Sequence, residues 1–134
     1  MERLMLVAKK LRVRVIAAHL PAGVLGFYDK EKGIIYFDIS LNSDERRCVI
    51  AHELGHVFHG HDCATQGAED QADAFAARLL IDPVRYATAE AISTDPDFLA
   101  DELDVTRDIV LAFQKYALQR IGSRTYVRAS QLVA

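Results

Sequence analysis

His52 and His56 stand four residues apart in the stretch AHELGH, residues 51–56, and Glu53 directly follows the first of them. On an α-helix, residues i and i+4 lie one above the other, so the two imidazoles project from one face and can meet at a single tetrahedral ion. Glu53 is one residue round from that face, close enough to touch a water on the metal without ligating it. The chemistry this pattern suits is metal-assisted hydrolysis, in which the ion lowers the pKa of its water toward about 7 and a carboxylate takes the proton. The alternative is a helix that carries two hydrogen-bonded histidines. Val49, Ile50, Leu54, Val57 and Phe58 surround the motif and predict a largely buried helix, where imidazoles without partners are costly and a ligand role answers the cost.

A catalytic zinc needs a third protein ligand and an open fourth position for water. Three sets of residues compete for the place. Asp62 lies six residues after His56, the spacing of the third ligand in metzincin proteases, but His59 stands where those enzymes have glycine and no methionine lies downstream to form their methionine turn. His59 and His61 continue the histidine run, although a third ligand from the same short helix would crowd the ion; exposure or substrate contact suits them better. Glu69, in EDQADAFAARLLIDP, lies on a second amphipathic helix together with Asp73 four residues later. A short loop lets that helix return antiparallel to the first, so that Glu69 completes the site. Asp73 then accepts the remaining ring proton of a histidine, most simply His52, fixing its tautomer and orientation.

The elements that must hold these residues follow from periodicity and punctuation. MERLMLVAKKL reads as a short helix and RVRVIAAHL as a strand; GVLGFYD and GIIYFDIS are β-rich runs joined by DKEKG, a hairpin turn. These segments predict a small antiparallel sheet. Asn42 caps a helix with Asp44 and Glu45 in its first turn, running from about Ser43 to about His59. Ala72, Phe75, Ala76, Leu79 and Leu80 mark the buried face of a second helix, stopped by Asp82 and Pro83. VRYATAEAI, PDFLADEL and TRDIVLAFQKYALQRI read as three further helices. The fold class is α+β: a small antiparallel sheet packed on a helical core that carries both metal-site helices. The chain reads as one domain over 1–134, with 1–42 mainly sheet, 43–82 the metal-site helices and 83–134 a C-terminal helical segment.

Composition narrows the function classes. The 134 residues are 51% hydrophobic and 26% charged, which excludes disorder and fibrous repeats. Apolar runs are broken by charge too often for a membrane span, and the basic residues of MERLMLVAKKLRVRV do not suit a signal peptide, so the expected location is the cytoplasm. Cys48 and Cys63 are too few for a disulfide framework and read as buried or half-buried thiols. A net charge of −3 offers no general attraction to nucleic acid, although Arg120, Arg124 and Arg128 make the C-terminal end locally basic.

With these residues in view, DERRCVIAHELGHVFHGH followed by EDQADAFAARLLIDP resembles the ImmA/IrrE metallopeptidases, a gluzincin-like group common in bacteria, phages and mobile elements. There an HExxH helix is followed by a helix of pattern E-x-x-A-[ND]-x-F-A-x-x-L-L-x-P. The match runs from about Ile34 to Pro83. The resemblance implies that His52, His56 and Glu69 ligate one Zn2+ per chain, that Glu53 is the base, and that Asp73 holds the Asn/Asp position. It also implies a substrate class, since such enzymes cleave helix-turn-helix repressors.

The mechanism expected of such a site is attack of water on a peptide carbonyl, with Glu53 taking the proton and later handing it to the leaving amine. An extended substrate would add to an edge strand, for which GIIYFDIS is the candidate. Tyr36, His59 and Tyr126 are candidates for assisting the oxyanion or touching substrate, and spacing does not choose among them. The competing reading is a non-catalytic protein of the same fold that binds a repressor or antitoxin without cutting it. FLADELDVTRDIVLAFQKYAL has helix-turn-helix spacing, but Asp101, Glu102, Asp104 and Asp108 would repel phosphates, so helical packing or repressor docking is favoured over DNA binding.

Overall fold

Helix boundaries in this chain are set by side chains that take over the unpaired amides at each start. In the computed structural model, which describes residues 1–62, 64–121 and 124–127, with side chains described as far as Leu118, the first helix is α1 (Glu2–Lys10). Helix α2 (Ser43–His59) begins at a complete capping box: Asn42 Oδ1 accepts the Glu45 N–H at 2.8 Å, and Glu45 Oε1 accepts the Asn42 N–H at 3.0 Å. Such a cap is worth about 1 kcal/mol. Helix α3 (Gln66–Leu80) starts at Thr65, whose hydroxyl accepts the Ala68 N–H. Asp82 caps α4 (Pro83–Glu90) and Asp95 caps α5 (Pro96–Leu103), each with proline in the first turn, where its missing N–H costs nothing. Helix α6 (Arg107–Tyr116) follows after Asp104, which adopts the left-handed conformation at φ 56°.

The sheet corrects one expectation. Strands β1 (Arg14–Ala18), β2 (Gly26–Asp29) and β3 (Ile34–Asp38) lie in the order β1-β3-β2, and β1 pairs with β3 in parallel, from Arg14 opposite Ile34 to Ala18 opposite Asp38. The β2–β3 pair is the antiparallel hairpin read from the turn sequence. The sheet is therefore mixed rather than antiparallel. The reason lies in residues 19–25: β1 and β2 run in opposite directions with β3 between them, so a seven-residue loop has only to step across the end of β3. Asp38 anchors that step, its carboxylate accepting the Leu20 N–H at 2.9 Å while its own N–H donates to the Leu25 carbonyl at 2.8 Å.

A second correction concerns the C-terminal segment, expected to be helical throughout. Helix α6 stops at Tyr116, whose carbonyl accepts Arg78 Nη2 from α3 at 2.6 Å. The chain continues as an antiparallel pair, β4 (Leu118–Ile121) and β5 (Arg124–Val127). The helical periodicity of TRDIVLAFQKYALQRI hid this change from helix to strand.

The helices and sheet share one hydrophobic core. Ile50, Ala51 and Leu54 of α2, Ala72, Ala76 and Ala77 of α3, Leu99 of α5 and Val110 of α6 have no exposed surface. Tyr86 is buried with its hydroxyl paired to Glu90 and Gln114, so the phenol brings no unsatisfied polar group into the core. Helix α6, in the position of a recognition helix by sequence spacing, packs its Ile109, Val110, Ala112 and Phe113 inward, against α3 and α5. Among the described residues no helix is long and apolar enough to cross a membrane.

Candidate metal centre

The site depends first on how closely α2 and α3 approach. Gly55, within the AHELGH stretch, packs onto Ala72 so tightly that a Cβ on it would lie 2.8 Å from the Ala72 Cα and 3.0 Å from its carbonyl oxygen. Any larger residue would push α3 away. A second glycine does the same for the sheet: a Cβ on Gly26 would lie 2.5 Å from Val49 Cγ1 and 2.9 Å from the Tyr36 carbonyl, so β2 lies directly on α2.

Between the two helices, three side chains converge. His52 Nε2 is 2.8 Å from one carboxylate oxygen of Glu69, His56 Nε2 is 3.3 Å from the other, and the two Nε2 atoms are 3.2 Å apart. One donor atom from each of His52, His56 and Glu69 lies within 4.8 Å of the others. The outward nitrogens are engaged elsewhere. His52 Nδ1 meets Asp73 Oδ1 at 2.8 Å, and His56 Nδ1 meets His61 Nδ1 at 2.9 Å.

The donor set fits a divalent cation of the zinc type. With Nδ1–H of His52 donated to Asp73, its Nε2 carries a lone pair facing inward. Two lone-pair nitrogens at 3.2 Å beside a carboxylate repel unless a cation or proton lies among them. Two imidazoles and one carboxylate form a three-ligand set that leaves a fourth tetrahedral position open.

Electrostatics separates the roles further. Burial pulls the His52 ring toward neutrality, but the Asp73 hydrogen bond and the charges of Asp73, Glu53 and Glu69 outweigh it and hold its pKa above the usual histidine value. For His56 burial wins, reinforced by His52, and the pKa is lowered. Burial pushes the Glu53 carboxyl above the ordinary glutamate value, with Glu69 adding to the effect and His52 opposing it. A raised carboxyl pKa suits a group that must accept a proton and then give it back.

Glu53 lines two clefts, one walled by the loop that leads into β2 and the other by β2 itself. The larger, about 550 Å3, has Gly23 to Gly26 on one wall and Val49, His52, Asp73 and Ile109 among its other lining residues. The smaller, about 240 Å3, is lined by Phe27, Tyr28, His56, His61 and Glu69 together with Glu53. The edge strand above the metal helix is thus β2. GIIYFDIS forms β3, the central strand, whose two sides are already paired and which has no free edge to offer.

The other sequence candidates fall in different places. Tyr36 stacks on Phe27 at a ring separation of 4.9 Å and lines neither cleft, whereas Tyr28 faces the smaller one. His59 packs against Phe58, Phe75 and His61. Asp62 is exposed and pairs with Lys30. Cys63 and Arg128, and the side chains of Arg120, Arg124 and Tyr126, lie outside what is described. Cys48 is buried and lines the larger cleft. Sequence reasoning assigned no partner to His56 Nδ1, although Gly60, which ends α2, is the residue type that turns a chain back over the last helical turn.

The Peptidase_M78 model, described as an IrrE N-terminal-like domain, matches residues 8–113. The chain belongs to this IrrE-like peptidase family. The resemblance read from the paired motifs is thereby borne out, and the protein has a metallopeptidase fold. Among solved structures, a Mycobacterium tuberculosis transcriptional regulator superposes with a TM-score of 0.63 at 20% identity, over 89% of this chain and 41% of that one. At that identity the likeness concerns the fold, and the IrrE-like chain spans about two-fifths of the regulator's length. No curated protein matches it.

Proposed function

We propose that this chain is a zinc-dependent endopeptidase of the HExxH type that hydrolyses a peptide bond in a regulatory protein, with a helix-turn-helix repressor as the substrate class. The observation that carries the reading is the convergence of His52 Nε2, His56 Nε2 and the Glu69 carboxylate beside Glu53, where a cleft under β2 meets one under the loop that leads into it. His52, His56 and Glu69 would hold the metal, which supplies polarisation of the substrate carbonyl and acidification of water.

The chain's own groups do the remaining work. An extended peptide pairs its backbone with the open edge of β2, which lays its carbonyls over the metal helix and its side chains into the clefts. Glu53 accepts a proton from the attacking water as the new C–O bond forms. It then delivers that proton to the amide nitrogen as the C–N bond breaks, so that the products leave as carboxylate and amine. Asp73 holds the His52 ring in the tautomer that turns its lone pair inward. Tyr28, which lines the smaller cleft, joins Tyr36 as a candidate for the phenol that meets substrate.

The test begins with metal counting. Wild type is expected to hold about one zinc per chain and His56→Ala to lose it. Glu53→Gln is expected to keep fold and zinc but to leave a repressor substrate uncut, as read by intact-mass spectrometry. A wild-type protein that binds zinc and a repressor without cleaving it would replace the peptidase by the binding-protein reading.

A further inference from the structure

His61 is half-buried and lines the smaller cleft, and its ring also makes contacts that its sequence position does not announce. Helix α2 ends at Gly60 in the left-handed conformation, φ 67° and ψ 34°. The Gly60 N–H bonds the Val57 carbonyl at 3.1 Å and the His61 N–H bonds the His56 carbonyl at 3.0 Å, the paired bonds of a Schellman cap. This cap folds the chain back over the last turn and brings the His61 ring beside that of His56, Nδ1 to Nδ1 at 2.9 Å. The far nitrogen of His61, Nε2, meets Gln71 Oε1 of α3 at 2.6 Å. The flat face of the ring stacks on His59, 5.3 Å between centroids with 15° between planes.

Proton counting gives this chain one direction. The Gln71 Oε1 atom is an acceptor only, so His61 Nε2 must carry the hydrogen. A neutral imidazole has one N–H, which leaves His61 Nδ1 as a lone pair and therefore an acceptor. The facing nitrogen, His56 Nδ1, must then be the donor, and His56 Nε2 is left with its lone pair directed at Glu69 and His52. We infer that His61 is a positioning residue for the metal centre: anchored by Gln71, it fixes His56 in the one tautomer that can ligate. The inference rests on the metal-site reading above, and it assigns the two histidines different supports, a carboxylate for His52 and a neutral imidazole–amide relay for His56. The relay also ties the end of α2 to α3, since His61 follows the first helix and Gln71 lies in the second.

The test uses the full chain, labelled with 15N in its histidines, first without metal. Long-range 1H–15N spectra are expected to show His56 protonated at Nδ1 and His61 at Nε2. In His61→Ala the His56 signals should move toward a mixture of both tautomers. Zinc affinity, measured by competition with a chromogenic chelator, should fall about 10- to 100-fold. His61→Asn, whose side-chain carbonyl can again accept from Nδ1, should recover most of that loss, which a merely structural role would not predict. Gln71→Leu keeps the ring but removes its anchor and should weaken zinc binding in the same direction. A wild-type His56 protonated at Nε2, or unchanged zinc affinity in His61→Ala, overturns the inference. Should wild type bind no zinc at all, the peptidase reading falls, while the tautomers of the metal-free protein still decide the relay.

Discussion

Gly55 and Ala72 are in direct backbone contact, and that contact sets the distance across which Glu69 reaches both histidines. A Cβ at position 55 would sit 2.8 Å from the Ala72 Cα, with the Phe75 Cβ at 3.1 Å as a further obstacle. Glycine inside a helix ordinarily costs about 0.5–1 kcal/mol relative to alanine. Here the sign reverses, because backbone atoms cannot step aside. Gly55→Ala is expected to destabilise the protein by about 1–3 kcal/mol in denaturant unfolding. It should also weaken zinc binding by moving α3 outward. A variant more stable than wild type would show that the helices have room to separate.

Zinc should act as a clamp on the same two helices. A ligand that binds only the folded chain stabilises it by about 2.7 kcal/mol at a hundred times its Kd, which for a chain of this size raises Tm by roughly 8 °C. Glu69→Ala should lose most of that rise, whereas Glu53→Gln should retain it, since Glu53 stands beside the donor set rather than in it. Differential scanning calorimetry with and without zinc separates the two variants.

Replacing the carboxylate that supports His52 should cost affinity rather than fold. Asp73 is half-exposed and accepts from His52 Nδ1 at 2.8 Å. Asp73→Asn keeps the shape but offers either an amide oxygen or an N–H to the ring, so the tautomer is no longer enforced. Zinc binding is expected to weaken by about 10- to 100-fold. Circular dichroism should be unchanged.

Cys48 gives a prediction in pH. Burial pushes its thiol above the usual cysteine value, against the opposing hydrogen bonds from Thr106. In a Cys63→Ser background, alkylation of Cys48 should be slower than that of a free thiol at pH 8 and should accelerate only at higher pH, because the thiolate is the nucleophile. The linkage has the same sign. A folded-state pKa above the unfolded one contributes stability that is complete below the unfolded pKa and is lost as pH rises through the folded value. Denaturant midpoints should therefore fall on the alkaline side through this group. Rapid alkylation at pH 8 would place the thiol in solvent.

The features legible in the sequence were those whose causes are local. The limits of α2 follow from Asn42, Glu45 and Gly60, all within a turn of the helix ends, and the α2–α3 arrangement follows from two apolar stripes and a short loop. The order of the sheet was not legible, because nothing near β1 states that its partner is β3 rather than the adjacent β2. Tyr36 and Tyr28 were indistinguishable for the same reason: which strand lies at the edge decides which phenol meets the clefts. The end of α6 depends on Arg78, thirty-eight residues away. His61 lay between these cases, since its position follows from the local Gly60 turn but its partner Gln71 lies on the neighbouring helix.

The placement of β3 between its two neighbours also imposes an order of assembly. Strands β2 and β3 meet across the four residues 30–33, whereas β1 must close a segment of some twenty residues before Arg14 reaches Ile34. Loop closure grows costlier with length, and the nearer contact is the faster one to make. The hairpin is expected to form before the parallel pairing, and until β1 arrives the central strand would present an unpaired row of amides and carbonyls on its other side. The N-terminal strand acts in this period as a late-arriving cover for an adhesive edge. The strand whose open side we assign to substrate, β2, lies on the opposite border of the sheet.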